Sequence, residues 1–129
     1  MNTPKYKILL VEDAQIAQKM ASVILRNIGC EVHAVKNGKE AVNLVAQEHY
    51  DLIFMDLGLP DIDGFSTTET IRNAESKSHP DQRIPIIALT THEGEHVKVT
   101  CLDTRMDDFL IKPLTEETAL EMLKKHLRR

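Results

Sequence analysis

The sequence predicts an α/β fold: a parallel sheet with helices on both faces. Three observations lead there. Short apolar runs alternate with helix-length amphipathic stretches through the whole chain, so each intervening helix must bury its stripe against a shared sheet. The run Leu52-Ile53-Phe54-Met55 is apolar at every position, as a strand covered on both faces requires. Four segments end on chemically active side chains, namely Glu12-Asp13, Asp56, Thr90 and Lys112. In open α/β sheets the edge formed by the strands' C-terminal ends is where ligands bind.

The elements follow in order. Ile8 to Val11 reads as the first strand. Gln15 to Ile28 carries Ile16, Met20, Val23, Ile24 and Ile28 at helical spacing, and Gly29 ends it. Val32 to Val35 alternates with polar residues and suits a strand near the sheet edge. Asn37-Gly38 is a turn before a second helix marked by Ala41, Val42, Leu44, Val45 and Tyr50. After Leu52 to Met55 comes the loop 58–64, then a helix from about Phe65 to Ala74. Residues 75–83 are the most polar stretch and read as an exposed loop. A fourth strand spans Ile84 to Leu89, with a helix expected from about Gly94 to Thr104. Phe109 to Ile111 is the fifth strand. A last helix runs from the N-cap Thr115 to Leu127, with Glu117 at its acidic start and Leu120, Leu123 and Leu127 facing inward.

A chain of 129 residues with 42% apolar and 28% charged residues suits one folded domain, residues 1–129. The net charge of −4 offers no general attraction for nucleic acid or an anionic membrane. The basic run 124–129 reads as a solvated last helical turn at its favourable dipole end. Cys30 and Cys101 have no metal-ligand spacing and read as reduced and structural. No apolar run is long enough to cross a bilayer and the start has no signal-peptide core, so the expected setting is cytoplasmic, with a soluble piece of a membrane-attached protein also open. A GxGxxG and a GxxxxGK[ST] are both missing, which removes the phosphate cradles of dinucleotide-binding and P-loop domains.

Clustered carboxylates repel one another and lose hydration, so Glu12, Asp13 and Asp56 at one edge call for a cation. All-oxygen ligation suits Mg²⁺. Lys112 balances remaining charge and can pair with a phosphoryl oxygen, Thr90 can donate to another, and Pro113 fixes the turn that follows, where a cis bond is plausible. Together these groups describe phosphoryl transfer onto Asp56 as nucleophile. Singly, each residue has a plainer reading: a turn aspartate, a solvated loop start, a helix-capping threonine, a Lys-Pro turn. Their conjunction at successive strand ends carries the chemistry.

The wording Val11-Glu12-Asp13, Met55-Asp56-Leu57-Gly58-Leu59-Pro60-Asp61-Ile62-Asp63-Gly64, Pro85 to Thr90 and Met106 to Pro113 closely resembles the response regulator receiver domain across essentially the whole chain. The resemblance implies a flavodoxin-like (βα)5 three-layer sandwich with strand order 2-1-3-4-5. It implies Asp56 as phosphate acceptor, and Asp13, Asp56 and the Gly58 carbonyl as Mg²⁺ ligands, with Glu12 supporting through water and Mn²⁺ able to substitute. Thr90 would be the switch hydroxyl, Lys112 the phosphate-pairing lysine and Phe109 the aromatic switch residue. The donor would be phosphohistidine on a sensor histidine kinase or a histidine phosphotransfer domain. Phosphoryl uptake and hydrolysis would be self-catalysed, with kinase activity only as part of a larger hybrid protein.

The output face would comprise the fourth helix, fifth strand and last helix, with Val97, Val99 and Leu102 supplying apolar surface. The resemblance places homodimerisation there too, and no direct nucleic-acid contact or membrane insertion is expected of this chain. Freestanding, hybrid-kinase and DNA-binding-regulator origins all remain open, and the wording favours the hybrid kinase. Two positions depart from the family pattern. Thr91 follows the switch threonine where a small residue is usual, and Arg105 stands where glycine often allows positive φ. Gly58, Thr91 and His92 are candidate modulators, His92 through dephosphorylation. The other histidines (33, 49, 79, 96 and 126) are expected at the surface. Rival readings are a non-phosphorylated pseudo-receiver that binds partners and a small aspartyl-phosphate hydrolase, though Gly58 stands where such a hydrolase has its second aspartate.

Overall fold

The computed structural model describes residues 6–78, 82–91 and 103–127. Their elements are β1 (Lys7–Val11), α1 (Gln15–Asn27), β2 (Glu31–Val35), α2 (Gly38–Gln47), β3 (Leu52–Asp56), α3 (Gly64–Ser78), β4 (Ile86–Thr90), β5 (Asp108–Ile111) and α4 (Glu116–His126). Residues 94–102 of the helix expected over 94–104, with Val97, Val99 and Leu102, lie outside the described residues, as do His79, His92, His96 and Cys101.

All five strands run parallel in the order β2-β1-β3-β4-β5, the order that the resemblance implies. Alternate side chains along each strand point to opposite faces, and two cores result. Ile8, Leu10, Phe54, Ile87 and Leu89 meet Leu25 of α1 and Leu123 of α4 on one face. Leu9, Val11, Ile53, Met55 and Ala88 meet Ala41 of α2 and Ile71 of α3 on the other. The strands β3 and β4 are buried at every position because both faces are covered. The alternating β2 lies at the edge.

Local chemistry sets several boundaries. Gly29, at φ +98°, takes the left-handed turn that ends α1, and its N–H reaches the Arg26 carbonyl at 3.0 Å. Asn37 is more than a turn residue: its side chain accepts from Glu40 N–H at 2.8 Å and caps α2. Thr115 and Thr118 form a reciprocal capping box at the start of α4.

Five expectations need correcting. Tyr50, expected on the second helix, lies beyond the end of α2 at Gln47 and is fully buried. The helix expected to end at Ala74 continues to Ser78, into the stretch read as loop. Its polar side chains signalled exposure, and one of them is structural: Glu75 accepts from Arg72 at 2.7 Å and from Ile84 N–H at 2.8 Å. The fourth strand begins at Ile86, two residues later than expected and just after Pro85, which has no N–H to give a ladder. Of the α1 stripe, Ile24 and Ile28 pack against the core, but Ile16, Met20 and Val23 face outward, 74%, 58% and 53% exposed. Ala21, Ser22 and Leu25 complete the buried face of α1. Leu120 is 40% exposed, so only Leu123 and Leu127 of that expected trio are buried.

Candidate functional site

Parallel register brings the active side chains together. Val11 pairs with Met55, Asp56 with Leu89, and Thr90 with Ile111. Glu12, Asp56, Thr90 and Lys112 therefore stand at or one residue beyond the last rungs of four neighbouring strands. Carboxylate oxygens of Glu12, Asp13 and Asp56 lie within 4.8 Å of one another. Glu12 and Asp56 are buried, at 2% and 6% exposure, whereas Asp13 is open to solvent.

Lys112 reaches into this group from the end of β5. Its Nζ lies 2.8 Å from Glu12 Oε1 and 3.3 Å from Asp56 Oδ1. Burial opposes its charge, but Glu12 and Asp56 outweigh that and hold the ammonium above the usual lysine range. Burial pushes the Glu12 carboxyl above its ordinary value, and Asp56 adds to this, against hydrogen bonds from Lys112 and Ala14 N–H. One ammonium among three carboxylates leaves negative charge in excess. The donor set is hard oxygen throughout, so the residues fit a divalent cation such as Mg²⁺.

Backbone groups orient the acids. Ala14 N–H donates to Glu12 Oε2 at 3.1 Å, and Gly58 N–H to Asp56 Oδ1 at 3.1 Å. Gln18, which the motif reading passed over, donates to the carbonyls of Glu12 and Val35 at 3.0 and 3.1 Å, tying the ends of β1 and β2 to α1. Its signal in the sequence is weak, a glutamine one turn into a helix. Gly64 is required by space: a Cβ there would collide with the Asp56 carbonyl. Gly58 has nothing within 4 Å of a Cβ position and faces outward.

Thr90 is buried at the end of β4, while Thr91 beside it is exposed. Phe109 is half-buried and packs with the cluster that contains Met106 and Ala88. The Lys112–Pro113 bond is cis. Arg105 adopts φ +67°, so it occupies the conformation for which glycine is usual. Two of the remaining histidines are not simple surface groups. His33 bonds the Tyr50 hydroxyl at 2.8 Å and Glu31 at 3.1 Å, and His126 bonds Asp108 at 3.0 Å.

A parallel sheet of this order, with three acids and a lysine at its C-terminal edge, defines a receiver-type phosphoacceptor domain. The chain matches the response regulator receiver domain family over residues 8–124 and belongs to it. It is 41% identical to hybrid signal transduction histidine kinase B of Dictyostelium discoideum, over 94% of this chain but 7% of that protein. It is 36% identical to transcription factor SKN7 of Candida albicans, over 96% of this chain and 21% of that protein. The sensor protein GacS of Pseudomonas syringae pv. syringae is 37% identical, over 92% of this chain and 13% of that protein. The chain thus spans a fifth or less of the length of most of these curated relatives.

Among solved structures, the receiver domain of sensor histidine kinase PA1611 from Pseudomonas aeruginosa PAO1 superposes with a TM-score of 0.84 at 32% identity, covering 98% of this chain and 100% of that one. That structure carries a magnesium ion coordinated in its active site cleft. The chemotaxis protein CheY4 of Vibrio cholerae gives 0.85 at 27% identity, covering 95% and 99%. The chain is a phosphoacceptor signalling domain of two-component type, with an acidic cluster of the kind that binds Mg²⁺.

Proposed function

We propose that Asp56 takes a phosphoryl group from a phosphohistidine on a sensor kinase or phosphotransfer protein. An Asp56 carboxylate oxygen attacks phosphorus, the P–N bond to the donor histidine breaks, and the freed imidazole takes up a proton. Water later attacks the same phosphorus, returning the Asp56 carboxylate and releasing inorganic phosphate. The observation that carries this reading is the placement of Lys112 Nζ against both Asp56 and Glu12 beside the three convergent acids. Lys112 is there to pair with a phosphoryl oxygen as charge builds, and Thr90 at the end of β4 is the hydroxyl that turns toward it. Asp13, Asp56 and the Gly58 carbonyl would hold Mg²⁺, with Glu12 behind them. Bound there, the ion supplies neutralisation of the developing charge.

The donor must sit over this edge of the sheet. The exposed stripe Ile16, Met20 and Val23 lies on α1, which starts two residues after Asp13, and this supports a protein rather than a small metabolite as donor. The relatives support a further reading, that this chain is the receiver portion of a hybrid sensor histidine kinase in the cytoplasm. The length of the full gene tests that point. Output through Phe109, β5 and α4 follows from the same reading, with Thr90 and Phe109 as the coupled pair.

The direct test is phosphate incorporation from a small phosphodonor with Mg²⁺. Asp56→Asn is expected to abolish acid-labile labelling, and undiminished labelling of that variant overturns the assignment. A wild type that never labels favours a pseudo-receiver that only binds partners. Steady turnover of small phosphate esters favours a hydrolase.

A further inference from the structure

Asp61 lies three residues beyond Gly58 in the segment between β3 and α3, and takes no part in the group formed by Glu12, Asp13 and Asp56. Its carboxylate is bound elsewhere. Oδ1 accepts from Gly38 N–H at 2.9 Å and Oδ2 from Lys39 N–H at 3.0 Å, both in the first turn of α2. With Glu40 N–H on the Asn37 side chain, the three leading N–H groups of that helix are satisfied, two of them by a residue more than 20 positions away. Desolvation works against the charged form, yet the backbone N–H groups of Gly38, Ile62 and Lys39 prevail and hold the carboxyl below its usual range. Gly38 allows the approach: a Cβ there would collide with the Thr67 hydroxyl and lie 3.2 Å from the Ile62 carbonyl.

The consequence falls on Gly58. Glycine has the widest backbone freedom of any residue, and this one is exposed with no neighbour at its Cβ position. With no packing at that position to restrain it, the direction of its carbonyl is set by the anchors on either side. Upstream, Leu57 N–H bonds the Leu89 carbonyl at 3.3 Å and Gly58 N–H bonds Asp56. Downstream, Leu59 is buried, Pro60 restricts φ, and Asp61 is clamped to α2.

We infer that Asp61 is a positioning residue, whose clamp on α2 holds the Gly58 carbonyl in the orientation that the phosphoacceptor site needs for its divalent cation. The inference rests on the reading of that site given above. Loss of the carboxylate leaves the acids and Lys112 in place but lets the segment from Gly58 to Asp61 sample other conformations, which weakens cation binding without touching the nucleophile.

Calorimetric titration of the whole chain with Mg²⁺ tests this, on wild type, Asp61→Ala and Asp61→Asn. In Asp61→Ala the Mg²⁺ dissociation constant is expected to rise roughly tenfold, the low end for a group that orients a ligand rather than binding the metal. The concentration needed for half-maximal labelling should rise by the same factor, with the rate at saturating Mg²⁺ unchanged. Asp61→Asn keeps one acceptor oxygen and should fall between, and it serves if the alanine variant folds poorly. A purely structural role would lower the melting temperature and leave the Mg²⁺ affinity of the folded protein where it was. Unchanged affinity in either variant, with faster hydrogen exchange at Gly38 and Lys39 proving the clamp lost, overturns the inference alone. A wild type that neither binds Mg²⁺ nor labels overturns the phosphoacceptor reading, and this inference with it.

Discussion

At the scale of single residues, charge placement near the sheet edges governs behaviour. Asp108, at the start of β5, shows how the balance is struck. Desolvation raises its carboxyl, but Lys125, His126 and the Phe109 N–H together hold it below the ordinary aspartate range. A depressed folded value means that its contribution to stability is present above the unfolded pKa and lost as pH falls through the folded one. Asp108→Asn is therefore expected to destabilise the protein at neutral pH. The gap from wild type should close in urea titrations taken below about pH 4, the ordinary aspartate value. A gap that persists in acid would show that packing, not charge, explains the cost. The acids and the lysine of the site were legible from residue type and position, because they fall together at successive strand ends, although each alone has a plainer structural use. Gln18 and Asp61 were not. Each acts through a partner that is distant in the chain, and neither partner could be read off local wording.

At the scale of elements, hydrophobic periodicity located the helices more reliably than it oriented them. The α1 stripe has helical spacing, yet of it only Ile24 and Ile28 pack on the core, beside the buried Ala21, Ser22 and Leu25. Small side chains let a helix lie close to a sheet, so Ala21 and Ser22 are buried while the larger Ile16, Met20 and Val23 stay exposed. Polar substitutions of Ile16, Met20 or Val23 are accordingly expected to change stability by no more than about 0.5 kcal/mol. Leu25→Ala, wholly buried, should cost about 2–5 kcal/mol. Urea midpoints compare them directly, and a large loss at Met20 would mean that α1 packs differently. The end of α3 illustrates the converse error. Composition marked residues 75–78 as loop, because a polar stretch can be an exposed helix as readily as a coil.

At the scale of the whole molecule, one buried guanidinium ties distant segments together. Arg72 of α3 is 2% exposed. It donates to the carbonyls of Arg105 and Ile84 at 2.9 and 2.8 Å, and to Glu75 and Asp107 at 2.7 Å each. Arg83 meets Asp107 and the Arg105 carbonyl at 3.0 Å. The Arg105 side chain returns to Glu69 and Asn73 of α3. These bonds hold a non-glycine residue at positive φ and set the entry into β5, the strand that delivers Lys112. Arg72→Ala takes one donor from each of two carboxylates and two carbonyls and is expected to lose about 3–5 kcal/mol, read from chemical denaturation. A loss below about 1 kcal/mol would mean that the network behaves like an exposed ion pair.

Across the same span, Tyr6 bonds the Leu127 carbonyl at 2.8 Å, linking the approach to β1 with the end of α4. By itself the sequence determined the alternation of strands and helices, the parallel sheet and the residues that end its strands, because burial on both faces and chemistry at strand ends leave a local imprint. Only the tertiary structure decided which face of α1 is buried, how far α3 runs, and which distant groups clamp Arg105 and Asp61. Those outcomes depend on close approach between segments far apart in the chain, and no single stretch of residues encodes them.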